Sequence, residues 1–202
     1  MKYLLSVFVL VFGVSNASAW GGEGHDVVVR LAIRLMKPAE RKAVYALLGT
    51  HDTYKIANWA DAVKEKNGTQ NWHFVDIPER DVHYNADRDC PDGDCIIAKL
   101  AMVQATIQNH AASRRARREA LLYWFHLIGD LYQPFHCYAE KRGGNGIKVY
   151  FKGERTNLHK LWDEKLIEYK NPSPWKLASD IFNARHRIPA ASTTFVDAAE
   201  QS

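Results

Sequence analysis

The sequence predicts a mainly α, single-domain protein, a helical bundle with at most a short β-hairpin. Its 202 residues, of which 47% are hydrophobic and 25% charged, suit one compact domain with a substantial core. Apolar residues recur at helical spacing in six segments. Only the short alternating stretch Ile147–Phe151, after a glycine-rich turn, is typical of a strand. This composition excludes a collagen, a coiled coil, a disordered tail and a polytopic membrane protein.

The first nineteen residues predict a signal peptide rather than part of the fold. Lys2 precedes the apolar run Leu4–Val14, and Ala-Ser-Ala at residues 17–19 fits the small-x-small cleavage rule. The run is too short to span a bilayer comfortably, and a retained membrane anchor is the alternative. We therefore expect cleavage before Trp20, a periplasmic or secreted protein without stable membrane association, and one domain over residues 20–202.

The helical segments follow one another along the chain, and two of them carry end signals. Pro38 lies where the first turn of the second helix would begin, and Asn157 can cap the last helix. The segments are Val27–Met36, Ala39–Leu48, Ile56–Val63, Ile96–Ile107, Ala120–Tyr132 and Leu158–Tyr169. Beyond about residue 172 the sequence is rich in Ala, Ser and Thr, and no helical feature is recognisable there.

Export would place the cysteines in an oxidising compartment. Cys90 and Cys95 are then predicted to form a small-loop disulfide that closes the polar surface loop Asp76–Gly93. Cys137 is left over, either as a buried side chain or as a reactive thiol.

A basic run, Arg-Arg-Ala-Arg-Arg at residues 114–118, precedes the fifth helical segment. Such a run can contact phosphates. It is also typical of a solvated connection between elements, which is the interpretation we favour here.

The fifth helical segment carries an imidazole and a carboxylate on an otherwise apolar face. His126 and Asp130 are four residues apart and therefore share one side of the helix, and His159 and Asp163 repeat this spacing. When such groups are buried they must be paired or bound to a metal, because leaving them unsatisfied is costly. For either pair alone, a His–Asp hydrogen bond inside the core is the alternative.

Further histidines and acids in apolar or aromatic settings favour the metal. His136, Asp61 and His73 lie in such settings, and imidazole with carboxylate, without clustered thiolate, is the ligand set of catalytic zinc. These are more ligands than one tetrahedral ion uses, so several ions are expected. The α-amine that cleavage would expose at Trp20 can also bind a metal, with His25 following after a supple glycine-rich segment. Core packing is the alternative for Trp20.

In this order, the residues resemble the S1/P1 nuclease family, which comprises extracellular, zinc-dependent, single-strand-specific nucleases. The resemblance covers Trp20 to about Ile167. It is carried by Trp-x-x-x-x-His, Trp-Ala-Asp, Trp-His-Phe-x-Asp, His-x-x-x-Asp-x-x-x-Pro-x-His, Gly-Gly-Asn and Asn-Leu-His-x-x-Trp-Asp. It implies the helical architecture that these nucleases share with phospholipase C.

The resemblance implies three zinc ions per chain and assigns a ligand set to each. Asp130 would bridge two of the ions and is the central catalytic residue. The sets are Asp61, His73, His126 and Asp130 for one ion; the amine and carbonyl of Trp20, His25 and Asp130 for the second; and His136, His159 and Asp163 for the third.

The resemblance also implies substrate contacts. Lys64 corresponds to the basic residue that steadies the phosphate, Phe74 to the aromatic residue on which a base stacks, and Asp76 to a nearby carboxylate. Gly144 and Asn145 match a turn that contacts the base. Plain core packing is the alternative for Phe74, and a solvated helix face is the alternative for Lys64.

The expected activity is zinc-dependent endonucleolytic hydrolysis of single-stranded RNA and DNA by a monomer. Zinc lowers the pKa of water, so such a centre would work near neutral pH. The third ion would neutralise the departing 3′ oxygen, so the products would carry 5′ phosphates. Nucleotides are further expected partners, through a 3′-nucleotidase activity. Two alternatives stay open: a zinc phospholipase C, or a catalytically inactive, truncated zinc-binding homologue. The second arises because family members continue for several tens of residues beyond the last ligand, whereas the part from about residue 172 is atypically short here.

Overall fold

A computed structural model of the protein describes residues 20–81, 83–170, 173–184 and 194–202. The predicted signal peptide lies outside the described residues. The described part is mainly α, which confirms the predicted fold class. Its α-helices are α1 (Gly22–Leu35), α2 (Pro38–Leu48), α3 (Thr53–Asn67), α4 (Ala86–Asp89), α5 (Ile96–Gln108), α6 (Arg114–Leu131), α7 (Leu158–Lys160), α8 (Leu166–Lys170), α9 (Pro174–Ala184) and α10 (Phe195–Gln201).

The first helix begins earlier than its apolar pattern predicts. α1 starts at Gly22 rather than near Val27, so the glycine-rich segment expected to be supple is helical. A Cβ on Gly22 would lie 2.7 Å from the Tyr54 hydroxyl, and one on Gly24 would lie 2.8 Å from the Trp20 Cβ. These glycines therefore let α1 pack closely against α3 and against the chain that precedes it.

Helix α6 is the centre of the fold. It packs against α1, α2, α3, α5 and α10. Leu127 belongs to an apolar cluster shared with α5 and α10, and Leu122 belongs to a second cluster shared with α1, α2 and α3. Burying one such side chain contributes roughly 1.5–3 kcal/mol. His126 and Asp130 are buried on this same helix, so the packing of both clusters fixes their position.

Three arginines of the basic run at the start of α6 donate to carbonyls near the ends of neighbouring helices. Arg117 donates to the Ile107 carbonyl at 3.1 Å and Arg118 to the Leu48 carbonyl at 2.8 Å. Arg114 donates to the carbonyl of Ala46. Cations are favourable near the carbonyl end of a helix, so this run fastens α2 and α5 to α6. Arg114 and Arg115 are exposed, as expected of a solvated connection, whereas Arg117 and Arg118 are half-buried.

The chain beyond residue 172 contains two helices that were not expected. Thr194 and Asp197 form a reciprocal capping box at the start of α10. Ala198 and Ala199 are buried in the apolar cluster of α5 and α6, and the Ser202 hydroxyl donates to the Leu131 carbonyl at 2.7 Å. Small residues therefore form α10 because its cap and its packing compensate for weak hydrophobicity.

Helix α9 packs against α1. Arg34 of α1 donates to the Ser179 hydroxyl at 3.1 Å, and its guanidinium lies 3.9 Å from the centre of the Phe182 ring. Among the described residues, no helix is both long and apolar enough to cross a membrane.

The described sheet is a two-stranded antiparallel hairpin formed by β1 (Lys148–Phe151) and β2 (Glu154–Asn157). The hairpin agrees with the prediction of at most a short β-hairpin, and β1 confirms the predicted strand; the position of the second strand was not predicted. Lys152 and Gly153 form the connecting turn, with φ of 53° and 83°. Two central residues with positive φ are typical of the tight turn that suits strand twist.

The predicted disulfide between Cys90 and Cys95 is present, and the loop before it contains α4. The Asn85 side chain caps α4 by accepting from two backbone N–H groups. Cys137 is buried, so of the two alternatives for this residue the structure supports the buried side chain.

Candidate metal centre and substrate cavity

Five buried or half-buried ligands, which we call the helix group, meet where α1, α3 and α6 pack together. Asp130 lies at their centre: its Oδ1 is 3.1 Å from His25 Nε2, and its Oδ2 is 2.9 Å from His73 Nδ1. The members of the helix group are His25, Asp61, His73, His126 and Asp130. The two oxygens of Asp130 therefore face different members of the group, as a bridging carboxylate would.

His126, another member of the helix group, contacts both Asp130 and Asp61. His126 Nε2 lies 3.3 Å from Asp130 Oδ2 and 3.6 Å from Asp61 Oδ1. The rings of His25 and His126 stack with centroids 3.8 Å apart. His126 Nδ1 is 2.6 Å from the Ala57 carbonyl, which leaves Nε2 as the free ligand atom.

Three further ligands, which we call the loop group, come from irregular segments. They are His136, His159 and Asp163. His136 ends a 3₁₀ turn at Pro134–His136, His159 lies in the one-turn helix α7, and Asp163 lies in the π-helical turn Leu161–Lys165. His159 Nε2 is 3.2 Å from Asp163 Oδ2, so the spacing of four residues keeps these side chains together despite the wider turn.

Backbone carbonyls orient both histidines of the loop group. His136 Nδ1 is 2.6 Å from the His73 carbonyl, and His159 Nδ1 is 2.6 Å from the Gly143 carbonyl. Each contact fixes the ring and leaves Nε2 for a ligand. Gly143 has a φ of +57°, and a Cβ there would lie 2.6 Å from the Phe135 carbonyl oxygen. Only glycine therefore fits at this position.

Several buried ligand atoms in both groups have no hydrogen-bond partner among the described residues. These atoms are His25 Nε2, Asp130 Oδ1, His136 Nε2 and His159 Nε2. Leaving such an atom unsatisfied costs roughly 1–3 kcal/mol. Hydrogen bonding within the core, the alternative to a metal, accounts for His73 with Asp130 at 2.9 Å. His25 Nε2 lies 3.1 Å from Asp130 Oδ1, and His159 Nε2 lies 3.2 Å from Asp163 Oδ2, but neither contact has the orientation of a hydrogen bond.

The two groups contain three sets of three side chains whose ligand atoms lie within 4.8 Å of one another. The donor chemistry is imidazole and carboxylate throughout, which suits zinc better than the softer or harder metals. The geometry thus fits metal ions where the sequence predicts them.

The helix group holds a charged pair even without metal. Burial alone would raise the pKa of Asp130, but the adjacent imidazoles of His126 and His25 hold it well below its usual range. Burial lowers the pKa of His126, and the Asp130 carboxylate more than offsets this and raises it to about 9. At neutral pH this pair is therefore ionised.

Burial disfavours charge on the members of the loop group. It lowers the pKa of His136 to about 4 and raises the pKa of Asp163 to about 8. Burial also lowers the pKa of His159. The loop group therefore lacks the strongly stabilised ion pair that the helix group has.

A cavity of about 430 Å³ opens onto ligands of both groups and onto most of the predicted substrate-binding residues. The lining residues are Lys64, Glu65, Gln70, His73, Phe74, Asp76, Phe135, His136, Ala139, Arg142, Gly143, Asn145 and His159. Gly144, which was predicted to contact substrate, is buried beneath the Phe135 ring, and its neighbour Gly143 lines the cavity instead. Arg142 was not singled out in the sequence.

The structure does not support the alternatives stated above for Lys64 and Phe74, a solvated helix face and plain core packing. Lys64 is only 8% exposed, and its Nζ lies 2.9 Å from Asp61 Oδ1, so it is not on a solvated helix face. Phe74 is 37% exposed, so it is not simply core. Burial and the Asp89 carboxylate raise the pKa of Asp76. Asn145 donates its side-chain amide to the Arg142 carbonyl at 3.0 Å.

The disulfide loop supports the segment that carries His73 and Phe74. Asp94, inside that loop, accepts from the Trp72 indole at 2.9 Å and from the Asn71 amide at 3.1 Å. The Ile96 N–H donates to the Phe74 carbonyl at 3.0 Å. The sequence marked the cysteines but not Asp94, because its partners are more than twenty residues away.

Trp20 is half-buried where the chain enters α1. The next residue, Gly21, donates its N–H to the Asp163 carbonyl at 2.6 Å. This contact places the segment before α1 next to the turn that carries Asp163. The predicted role of the Trp20 amine and carbonyl as ligands stays a prediction.

A family model described as S1/P1 Nuclease matches residues 20–201 of the chain. Endonuclease 2 of Arabidopsis thaliana is 32% identical over 174 residues, which cover 79% of this chain and 60% of the relative. Nuclease S1 of Aspergillus oryzae is 32% identical over 178 residues, which cover 83% and 62%. Nuclease P1 of Penicillium citrinum is 32% identical over 161 residues, which cover 73% and 60%. The chain spans about three fifths of the length of these relatives.

Proposed function

Because the chain belongs to the S1/P1 nuclease family, we propose that it is a zinc-dependent endonuclease acting on single-stranded RNA and DNA. The observation that carries this proposal is the convergence of two groups of buried histidines and aspartates on one cavity, with ligand atoms that have no partner in the described protein. We further propose that products carry 5′ phosphates and that nucleotides serve as substrates of a 3′-nucleotidase activity.

Three zinc ions would be held by the two groups, with Asp130 shared between two of them. Bound zinc supplies a nucleophile from water near neutral pH and neutralises charge on phosphate oxygens. The ligand sets are Asp61, His73, His126 and Asp130; then His25 and Asp130 with the Trp20 amine and carbonyl; then His136, His159 and Asp163. The Trp20 amine requires cleavage of the signal peptide, so this scheme goes with a periplasmic or secreted protein.

Lys64 and Phe74 give the chain its own means of placing a nucleic acid. The Lys64 ammonium is held by Asp61 at the cavity wall, where it can steady a phosphate next to the ligands. The exposed face of Phe74 can stack on a base, but only on a base that has left its helix, which favours single strands. No residue in this scheme needs a 2′ hydroxyl, so RNA and DNA are both expected substrates.

The cavity favours a nuclease over a zinc phospholipase C. Asp76 and Asn145 line it together with Phe74, and these side chains offer a stacking face and polar partners for the edge of a base. A lipid headgroup needs neither. The helical architecture and the ligand types are common to both readings, so the polar and aromatic wall is the distinguishing feature.

The test is digestion of single-stranded and double-stranded RNA and DNA by protein beginning at Trp20, with and without chelator, followed by end-group analysis. We expect chelator-sensitive cleavage of single strands that leaves 5′ phosphates. Phe74→Ala should weaken cleavage roughly 5- to 100-fold, since stacking contributes about 1–3 kcal/mol per base. Trp175→Ala, an exposed aromatic outside the cavity, is the matched control.

Two results would contradict the proposal. Folded protein with bound zinc that cleaves no nucleic acid would support an inactive zinc-binding homologue. Release of headgroups from phospholipid in place of nucleotides would support the phospholipase.

A further inference from the structure

A fully buried glutamine, Gln133, lies between the two ligand groups without belonging to either. Its side-chain amide donates from Nε2 to Asp163 Oδ1 at 2.5 Å, and its Oε1 accepts from the Phe135 N–H at 2.5 Å. Its backbone N–H donates to the Asp130 carbonyl at 3.0 Å. The side-chain amide therefore uses both its donor and its acceptor on the loop group's own segments.

These contacts join the end of α6 to both arms of the loop group. One arm is the turn Pro134–His136, which is capped by the side-chain oxygen Oε1 of Gln133. The other arm is the π-helical turn that carries Asp163. No hydrophobic residue of the same size could make either contact, and a buried amide is retained at such a place only when both ends are satisfied.

The amide also decides which carboxylate oxygen of Asp163 is available. Oδ1 is occupied by Gln133, whereas Oδ2 faces His159 Nε2 at 3.2 Å. His159 Nε2 itself has no hydrogen-bond partner. Because Gln133 occupies Oδ1 of Asp163, the other oxygen, Oδ2, faces the same space as His159 Nε2.

We propose that Gln133 is a positioning residue that presents Asp163 through a single oxygen to the metal ion of the loop group, and so sets the affinity of that ion separately from the other two. This inference rests on the proposed function. Partners that orient a ligand in this way typically change metal affinity 10- to 100-fold when they are removed.

Two substitutions separate this role from a simple packing role. Gln133→Glu keeps an oxygen for the Phe135 N–H but loses the donor to Asp163 and sets a second carboxyl against it. Gln133→Met keeps the approximate volume and loses both contacts. The matched control is Gln104→Glu, the same change at an exposed position on α5.

The experiment is elemental analysis of zinc in the purified variants of the chain beginning at Trp20, followed by titration with a competing chelator. We expect three zinc ions per chain in the unsubstituted protein and in Gln104→Glu. Gln133→Glu and Gln133→Met should hold two tightly and bind the third about 10- to 100-fold more weakly. A purely structural glutamine would lower the thermal midpoint and leave the zinc count at three.

The outcomes distinguish this inference from the proposed function. Folded Gln133 variants that hold three ions as tightly as the unsubstituted protein would overturn the positioning role. Unsubstituted protein that holds fewer than three ions would overturn the proposed zinc centre, and the positioning role with it, before any variant is compared. If both Gln133 variants fail to fold in the presence of zinc, the residue is structural and the inference is wrong.

Discussion

In the helix group, His25, His126 and Asp130 project from α1 and α6, two long helices whose apolar faces pack against each other and against α3. In the loop group, His136 and Asp163 come from a 3₁₀ turn and a π-helical turn. Each element of the loop group is too short to be stable alone. Its side chains are held by the carbonyls of neighbouring segments and by one buried amide.

The same two residue types therefore reach the same kind of geometry by different means. The helix group is positioned by apolar packing spread over many side chains, and its ionised His126–Asp130 pair attracts even without metal. The loop group is positioned by a few hydrogen bonds, and burial disfavours the ionised form of its carboxyl group. We expect the helix group to withstand the loss of one supporting contact, and the loop group to lose its metal when one is removed.

The largest expected effect comes from Asp130→Asn, which removes the central carboxylate of the helix group. An amide cannot bridge two cations as a carboxylate can, so the zinc content should fall from three ions per chain to one. Nuclease activity should fall roughly 10³-fold or more, because the lost metals each contribute several kcal/mol to transition-state stabilisation. Elemental analysis and a single-strand cleavage assay measure the two effects.

The matched control is Asp180→Asn, the same change at an exposed position on α9 where the carboxylate pairs only with Lys176 among the described residues. It should keep three ions and full activity. If Asp130→Asn loses the loop group's ion as well, the two groups are not independent and the comparison between them fails.

An intermediate effect is expected from Gly143→Ala, which attacks the support of the loop group. The positive φ alone costs about 1–2 kcal/mol in an alanine, and the new Cβ would lie 2.6 Å from the Phe135 carbonyl oxygen and 3.4 Å from His159 Nδ1. The segment must shift, and His159 loses the carbonyl that orients it. Zinc affinity at the loop group should fall about 10-fold or more, measured by chelator titration.

Gly49→Ala separates backbone strain from loss of the carbonyl. Gly49 also has a positive φ, of 71°, but a Cβ there would meet no atom within 4 Å. It should lower stability by about 1–2 kcal/mol in thermal unfolding and leave zinc affinity unchanged. Equal zinc affinities in the two variants would mean that the Gly143 carbonyl does not position the loop group.

Most ligands of the helix group could be predicted from the sequence because they lie on long helices, and the packing of those helices also holds the group in place. His126 and Asp130 share a helix face that periodicity alone reveals, and the ordered motifs identify their partners on α1 and α3. The disulfide between Cys90 and Cys95 also followed from their spacing, together with the prediction that the protein is exported. Such local patterns predict contacts correctly because residues four apart in a helix share one face and cysteines a few residues apart can form a disulfide.

What the sequence did not reveal depends on distant backbone groups. Nothing local marks Gln133 as a partner of Asp163, or Arg118 as the partner of a carbonyl seventy residues away. The helical pattern of α3 also did not show that Lys64 is buried. The weakly hydrophobic α10 forms because a capping box and the apolar cluster of α5 and α6 stabilise it.

The smallest expected effect concerns Cys137, the residue that follows His136. Its thiol is buried and donates to the Leu131 carbonyl at 3.6 Å, and burial raises its pKa to about 12. A thiol with that pKa is about 10⁻⁴ ionised at pH 8, and only the thiolate binds metal or attacks a reagent. We therefore expect Cys137→Ala to keep three zinc ions per chain and to lose about 1 kcal/mol of stability from the small cavity.

A thiol reagent should label the unsubstituted protein only after it unfolds. Fast labelling of the folded protein, or loss of an ion in Cys137→Ala, would place sulfur among the ligands of the loop group. The two groups would then differ in the chemistry of their ligands as well as in what holds them.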